Sequence, residues 1–260
     1  MSNKHSASLD LAADLATPSR ASRLAHALRS VVFFVVYFAY LTFVMGLAQR
    51  LVIWPLITVA PSRRRAIVGA WLRFNARATF GLARALAGVR LSVRGAIPPE
   101  AVVVVMNHQS VLDIPLGVLL IPGPYPIIPT RDRYGKGIPG ISPLTRLARF
   151  PLVTHQKTAT RQELLDLRRV ADDVARGEQS LLIFPEGHRS TDGDIDPFMK
   201  SGLKLILARA RRPIYCIVAD GMWHIPTFAA AAVRFAGTHV RAAVDMARFE
   251  RLLQRKRGAG

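Results

Sequence analysis

Apolar and polar positions follow three regimes along this chain, and each predicts a different element. Residues 1–20 are small and polar without an apolar period, which predicts a disordered arm. From Ser30 to Gln49 no residue is charged, and the run Val31-Val32-Phe33-Phe34-Val35-Val36-Tyr37-Phe38 lies inside it. As a helix, that stretch is long enough to cross a bilayer core. Arg50 separates it from a second uncharged stretch, Leu51 to Ser62, broken at Trp54-Pro55 and Pro61. The basic lead is too long for a cleaved signal peptide, and no A-x-A site follows. Arginines at 20, 23 and 29 and at 50, 63, 64 and 65 flank both ends, so positive-inside logic leaves two options open: a single span, or a segment that dips in and returns.

The second regime covers residues 66–88. Ile67, Trp71, Phe74, Ala78, Leu82 and Ala85 recur at spacings of three and four, the signature of one apolar helix face, with Arg73, Arg77 and Arg84 on another. This pattern fits an interfacial helix on anionic lipid, and equally a helix packed on the domain with a charged outer face. Its place beside the uncharged stretch favours the interfacial form, and residues 21–88 read together as a membrane-associated helical segment.

In the third regime, from 89 to 248, short apolar runs alternate with helical periods. Strands are expected at 91–94, 101–106, 151–154, 181–184, 213–219, 232–236 and near 239–244. Thr160-Arg161-Gln162-Glu163 has the form of a capping box opening a helix that Gly177 ends. Asp196-Pro197 reads as an N-cap and first-turn proline opening a helix to Arg211. The alternation predicts an α/β fold. The Pro/Gly-rich segment 121–143 is expected to be an irregular loop bearing on the site, and 249–260 a basic tail.

Charge narrows the partners. The chain carries a net +19, and its first hundred residues hold 13 Lys/Arg against 3 Asp/Glu. That balance favours anionic lipid headgroups, an acidic carrier protein or nucleic acid. Aromatics cluster in the apolar N-terminal segment instead of interleaving with basic patches, so nucleic acid is not expected. The single cysteine, Cys216, excludes an internal disulfide framework and a Cys-based zinc site, and reads as a small core residue.

Two blocks carry chemistry, each directly after an expected strand: Asn107-His108-Gln109-Ser110-Val111-Leu112-Asp113 and Phe184-Pro185-Glu186-Gly187-His188-Arg189-Ser190. Ligands in open α/β sheets bind where strands end, so both blocks would face one crevice. His108 is a candidate general base and Asp113 its orienting acid, in the logic of a serine-hydrolase triad with the substrate's own hydroxyl in place of the serine. Ser110 and Asp113 also fit a helix-capping pattern, with Pro115 confusing the register. Arg189 can grip a phosphate with paired hydrogen bonds; Glu186 can bind an acceptor hydroxyl, hold Arg189, or close a turn with it. Gly187 permits a positive φ, and Lys200 adds a cation nearby. Donors for an oxyanion are expected among backbone N–H groups of the 107–113 turn. Asp192, Asp194 and Asp196 alternate like calcium ligands, but Pro197 and Leu203 stand where that loop needs Gly and Glu. A metal site from His108, Asp113, Glu186 and His188 lacks the short paired spacing of zinc enzymes. No Walker loop, dinucleotide fingerprint or Gly-x-Ser-x-Gly elbow is present.

In this order and with the 77 residues between His108 and Glu186, the two blocks resemble the signature blocks of the glycerolipid acyltransferases, the 1-acyl-sn-glycerol-3-phosphate (lysophosphatidate) acyltransferase family. Phe198-x-Lys200-x-Gly202 and Pro213-Ile214 add to the likeness, which covers roughly residues 90–220. The resemblance implies a mixed sheet flanked by helices with a membrane-docked N-terminal helical element. It implies His108 as base, Asp113 as its partner, and an acceptor held by Glu186 and Arg189, with Gly187 shaping the loop. Asn107, Ser110, His188 and Lys200 are expected among the substrate contacts. It further implies an acyl-CoA or acyl-carrier-protein thioester as donor, no metal, membrane lipids as partners and a catalytic domain on the cytoplasmic face. Two positions depart from the family's pattern. His188 stands where threonine is more common, and the middle block offers only His155, Gln156 or Lys157 where an arginine usually follows the strand. Arg131 and Arg133 are the expected substitutes. A different acceptor, such as a lyso-aminolipid, and a non-catalytic membrane-binding module are the competing readings.

Overall fold

The computed structural model describes residues 20–154, 160–190, 192–225 and 234–245, and the backbone alone at 200–202. The arm at 1–19, the basic tail, residues 232 and 233 of the strand expected at 232–236 and the middle-block residues His155, Gln156 and Lys157 lie outside the described residues.

Residues Arg20–Val59 form one helix, α1, running through Arg50 and Pro55, where the sequence pattern predicts a break. Two π turns, Tyr40–Met45 and Gln49–Ile53, explain the continuity. The buried stripe is Tyr37, Leu41, Met45, Gln49, Ile53 and Ile57, spaced by fours. Four residues overshoot an α-helical turn by about 40°, so a straight helix would carry this stripe off its contact within a few turns. Turns closed i→i+5 absorb the surplus, and the second ends just before Trp54-Pro55, where a residue without an N–H is tolerated.

α2, Arg64–Ala87, returns antiparallel to α1 and ends at Gly88, whose φ of 64° closes the helix. Arg29 Nε donates to the Leu86 carbonyl (3.2 Å), and Tyr40 Oη to Asn75 Oδ1 (2.7 Å). The buried face of α2 is Val68, Leu72, Ala76, Thr79, Ala83 and Ala87, one residue round from the expected stripe. Ile67, Trp71 and Leu82 lie at its margin, and Phe74 faces outward. α2 packs between α1 and α3, so it is a structural layer of the domain. The outward face of α1 remains apolar, with Val35, Phe43, Leu47 and Leu51 all more than half exposed.

The body is a six-stranded mixed sheet in the order β1-β8-β7-β2-β6-β3. The strands are β1 (Arg90–Arg94), β2 (Val103–Met106), β3 (Pro126–Ile127), β6 (Ser180–Ile183), β7 (Ile214–Asp220) and β8 (His239–Asp245). A separate parallel pair joins β4 (Thr130–Arg131) to β5 (Leu152–Val153). Both β3 and β4 lie in the segment expected to be irregular, because two-residue strands are too short to show alternation. The described residues of the expected strand at 232–236, Arg234, Phe235 and Ala236, are not extended in a ladder. Burial and the Asp245 charge push the Cys216 thiol on β7 up to about 11.

β2 runs parallel to both β6 and β7, with Val105 opposite Ile183 and Cys216. The three chains therefore leave the sheet at the same edge, which brings the two blocks together. The remaining helices are α3 (Asp113–Leu120), α4 (Ile141–Leu147), α5 (Arg161–Ala175) and α6 (Lys200–Ala210). α5 carries the expected capping box, Thr160 with Glu163. α6 begins at Lys200 and not at Asp196. The reason is local: the Asp196 N–H donates to Glu186 Oε2 (3.1 Å) and the Met199 N–H to the Pro185 carbonyl (2.7 Å), so these residues are drawn into the site loop.

Candidate active site

The turn after β2 converges on one oxygen. Asp113 Oδ2 accepts from His108 Nδ1 (2.8 Å), the Gln109 N–H (2.6 Å) and the Ser110 N–H (2.7 Å), and the residue is fully buried. The cap and the catalytic pair, alternatives in the sequence, are thus the same atom. Because Oδ2 is an acceptor here, Nδ1 is the donor, and in the neutral ring it is Nε2 that carries the lone pair. The imidazole stacks on Phe184 (centroids 4.3 Å apart, 25° between planes) and is 16% exposed. Pro115 falls in the first turn of α3, where a missing N–H breaks no helical bond.

Glu186 sits on the other side of the same residue. Its Oε1 accepts the His108 N–H (2.8 Å), and with Oε2 on Asp196 both oxygens hold backbone, so Glu186 does not pair with Arg189. Burial pushes its carboxyl above the usual range, against the pull of those two N–H donors. The Ser190 N–H donates back to the His108 carbonyl (2.7 Å), closing a reciprocal clasp between the blocks. Gly187 has φ 74°, and a Cβ there would run into Met199 Sδ.

The other expected site residues fall into distinct places. Asn107 is buried and both ends of its amide are engaged by Ala219 on β7, at 2.9 and 2.8 Å. Ser110 Oγ donates to the Ile225 carbonyl (3.3 Å). Arg131, at the end of β4, donates to the Gly187 carbonyl (2.7 Å) and so joins the second block. Arg133 lies instead over the ring of its neighbour Tyr134. Arg189 is half-buried, and His188 is exposed with Nδ1 3.6 Å from Asp196 Oδ2. Lys200 opens α6, its side chain outside the described residues.

One expectation is narrowed. The N–H groups of His108, Gln109, Ser110, Leu112 and Asp113 are engaged internally, so these five are not free donors for an oxyanion. Sequence reasoning also gave no role to Phe184, which supports the imidazole, or to Gln109, whose Oε1 accepts the Met222 N–H (3.2 Å). Their presence inside the blocks was the available signal.

A family model described as Acyltransferase matches residues 89–220, half of the chain, and these residues contain every contact described above for His108. The chain belongs to the acyltransferase family. Within that family it is similar to 1-acyl-sn-glycerol-3-phosphate acyltransferase alpha of Homo sapiens, 33% identical over 137 residues that make up 51% of this chain and 46% of the relative. The Mus musculus protein of the same description is 32% identical over 140 residues, 52% and 47% of the two chains. The matched stretch thus spans about half the length of these curated relatives. In fold, this acyltransferase-family chain is similar to the crystal structure of the 1-acyl-sn-glycerophosphate (LPA) acyltransferase PlsC from Thermotoga maritima. That likeness has a TM-score of 0.60 at 20% identity, covering 86% of this chain and 85% of the other.

Proposed function

We propose that this protein transfers a fatty acyl group from a thioester, acyl-CoA or an acyl-carrier protein, to the free hydroxyl of a lysophospholipid, with 1-acyl-sn-glycerol-3-phosphate as acceptor and phosphatidate as product. The observation that carries this reading is the partly exposed His108 imidazole fixed by the buried Asp113 carboxylate at 2.8 Å, within a chain of the acyltransferase family.

In this mechanism His108 Nε2 takes the proton of the acceptor hydroxyl, and the oxygen attacks the thioester carbonyl. The tetrahedral intermediate collapses with cleavage of the C–S bond, and the imidazolium returns its proton to the leaving thiolate. Asp113 keeps the ring in the productive tautomer and offsets the imidazolium charge. Arg189 and Arg131 receive the acceptor phosphate, with Lys200 and His188 at the margin of the same site. Glu186 and Gly187 shape the loop that presents Arg189 and to which Arg131 donates. Asn107 and Ser110 act through the geometry of the β2 turn, since their polar atoms bind backbone.

The apolar outward face of α1, long enough by length and composition to cross a membrane, supports a catalytic body held at a bilayer where both lipids reside. We place that body on the cytoplasmic face, with membrane lipids and the thioester donor as its partners. The test is acyl transfer by the purified protein from a labelled acyl thioester to lysophosphatidate, beside His108→Ala and a panel of other lyso-acceptors. Undiminished transfer by the variant would overturn the mechanism, and preference for an amino-headgroup acceptor would overturn the substrate.

A further inference from the structure

A second cluster of basic residues lies away from His108. A cavity of about 430 Å³ opens between the α1–α2 turn, the entry of β3 and β6, and α5; it is lined by Ile57, Arg64, Arg65, Tyr125, Arg149 and Arg169, among others. Tyr125 and Gln179 on its wall precede β3 and β6, whereas Glu186 follows the far end of β6. Four strand residues, roughly 13 Å of rise, separate the two ends. The cavity is therefore at the opposite edge of the sheet from the acyl-transfer site.

Its charges are not balanced from within. Arg65 pairs with Glu178 at 2.6 Å and Arg169 with Asp166 at 3.8 Å, while Asp173 on the cavity wall is held by Arg176. Arg64 donates to the Leu147 carbonyl, a neutral partner, and lines the same cavity as Arg149. Arg149 has no carboxylate partner among the described residues. Burial and the Arg149 charge both lower the proton affinity of Arg64, the expected result of two like charges held together. Three arginines, Arg63, Arg64 and Arg65, also crowd the positive end of the 24-residue α2, whose first turn has no acidic residue and no side-chain cap.

Arg149 has φ 54° because it closes α4: its N–H donates to the Arg146 carbonyl (3.2 Å) and the Phe150 N–H to the Thr145 carbonyl (3.0 Å), the left-handed turn that ends a helix and that glycine would adopt freely. That turn usually takes glycine; here it brings an arginine to the wall of the cavity that Arg64 also lines, where an anion would offset both charges. Ile57 lines the same cavity, and Leu56 and Val59 on the last turns of α1 are 46% and 85% exposed beside it. An anionic group with an apolar tail matches that arrangement better than a free ion.

We propose that Arg64 and Arg149 form a second anion site that receives the phosphoryl group of an anionic glycerophospholipid, separate from the acyl-transfer centre and independent of its assignment. The occupied site anchors the α1–α2 turn to an anionic surface.

The test uses the full chain in detergent and asks for sedimentation with phosphatidylcholine vesicles with and without phosphatidylglycerol. Arg149→Gly removes the guanidinium and relieves the backbone, so its melting temperature is expected to equal or exceed that of the parent. Its added affinity for the phosphatidylglycerol vesicles is expected to fall about tenfold or more, and Arg64→Gln to fall likewise. Acyl transfer to a detergent-dispersed acceptor stays unchanged in Arg149→Gly, and His108→Ala binds the vesicles as the parent does. Equal binding of anionic vesicles by Arg149→Gly and its parent would overturn the proposal. So would Arg149-dependent thermal stabilisation by inorganic phosphate with no Arg149-dependent vesicle binding, which would assign the site to free phosphate. Arg149-dependent retention of an oligonucleotide in place of vesicles would assign it to nucleic acid and overturn it equally.

Discussion

The backbone N–H of His108 donates to Oε1 of Glu186 at 2.8 Å, so a residue 78 positions later in the chain fixes the base of the proposed reaction from behind while Asp113 fixes its ring. Glu186 belongs to the block that presents Arg189 and to the block that presents His108 at once. Its substitution is therefore expected to disturb both halves of the site, and three measurements separate the roles.

Asp113→Asn preserves the shape of the side chain and removes its charge. The two backbone N–H groups still find an oxygen, but the imidazolium formed in the reaction loses its counter-charge. Steady-state kinetics are expected to show kcat lowered roughly 10²–10⁴-fold with the acceptor KM within about twofold of the parent. A change confined to KM would reassign Asp113 to binding.

Glu186 gives a pH signature whose sign follows from burial. Its carboxyl titrates above the ordinary value of 4.5, so the folded protein binds that proton more tightly than the unfolded chain. The ionised form costs stability at neutral pH; the cost is released as pH falls through the raised value and is gone below the ordinary one. Melting curves of the parent and Glu186→Gln are therefore expected to shift relative to one another in that window, the parent gaining on the variant as the pH falls. Parallel curves across the window would show that burial of this carboxylate is not linked to folding.

Arg189 is half-buried and Glu186 does not neutralise it, which leaves its guanidinium open to the proposed contact with the acceptor phosphate. Arg189→Gln is expected to raise the KM for lysophosphatidate roughly 10–100-fold, the loss of one charge-assisted pair, while a lyso-acceptor without a phosphate monoester is barely affected. Equal losses on both acceptors would place Arg189 in the loop's structure.

α1 contributes core as well as an apolar outer face. Phe33, Phe34, Tyr37, Leu41, Met45, Ile53 and Ile57 are buried, and Gln49 Nε2 donates to the Gly140 carbonyl (3.0 Å). At about 1.5–3 kcal/mol for each large side chain, their removal is comparable to or larger than the roughly 5–15 kcal/mol that holds a domain together. A chain lacking residues 1–59 is expected to show no cooperative unfolding transition by circular dichroism, in detergent or without it. A cooperative transition in that fragment would identify α1 as a detachable anchor.

Much of the site was legible before any coordinates. His108, Asp113, Glu186 and Arg189 stand in two short blocks directly after apolar runs, and short-range pattern is what a linear chain displays best. The α5 capping box was legible for the same reason, since both partners lie within one turn. Three features were hidden because their partners are distant in sequence. Lys200 begins α6 because Asp196 answers to Glu186. α2 buries the face one residue round from its most apolar stripe because α1 and α3 flank it. The N–H groups of His108, Gln109 and Ser110 are not free for an oxyanion because Glu186 and Asp113 already hold them.

The sequence by itself determined the chemistry available to this protein: one histidine with a carboxylate five residues on, a Glu–Gly–His–Arg turn, an apolar N-terminal stretch and an excess of arginine. Local spacing and side-chain type suffice for that much. Only the tertiary structure decided which of two competing uses each residue has. It made cap and catalytic partner one oxygen of Asp113, turned Glu186 from an arginine partner into a clasp on His108, and joined two uncharged stretches into one helix. In each case the deciding partner arrives through parallel strand pairing or helix packing, and those contacts join residues too far apart for any local pattern to relate.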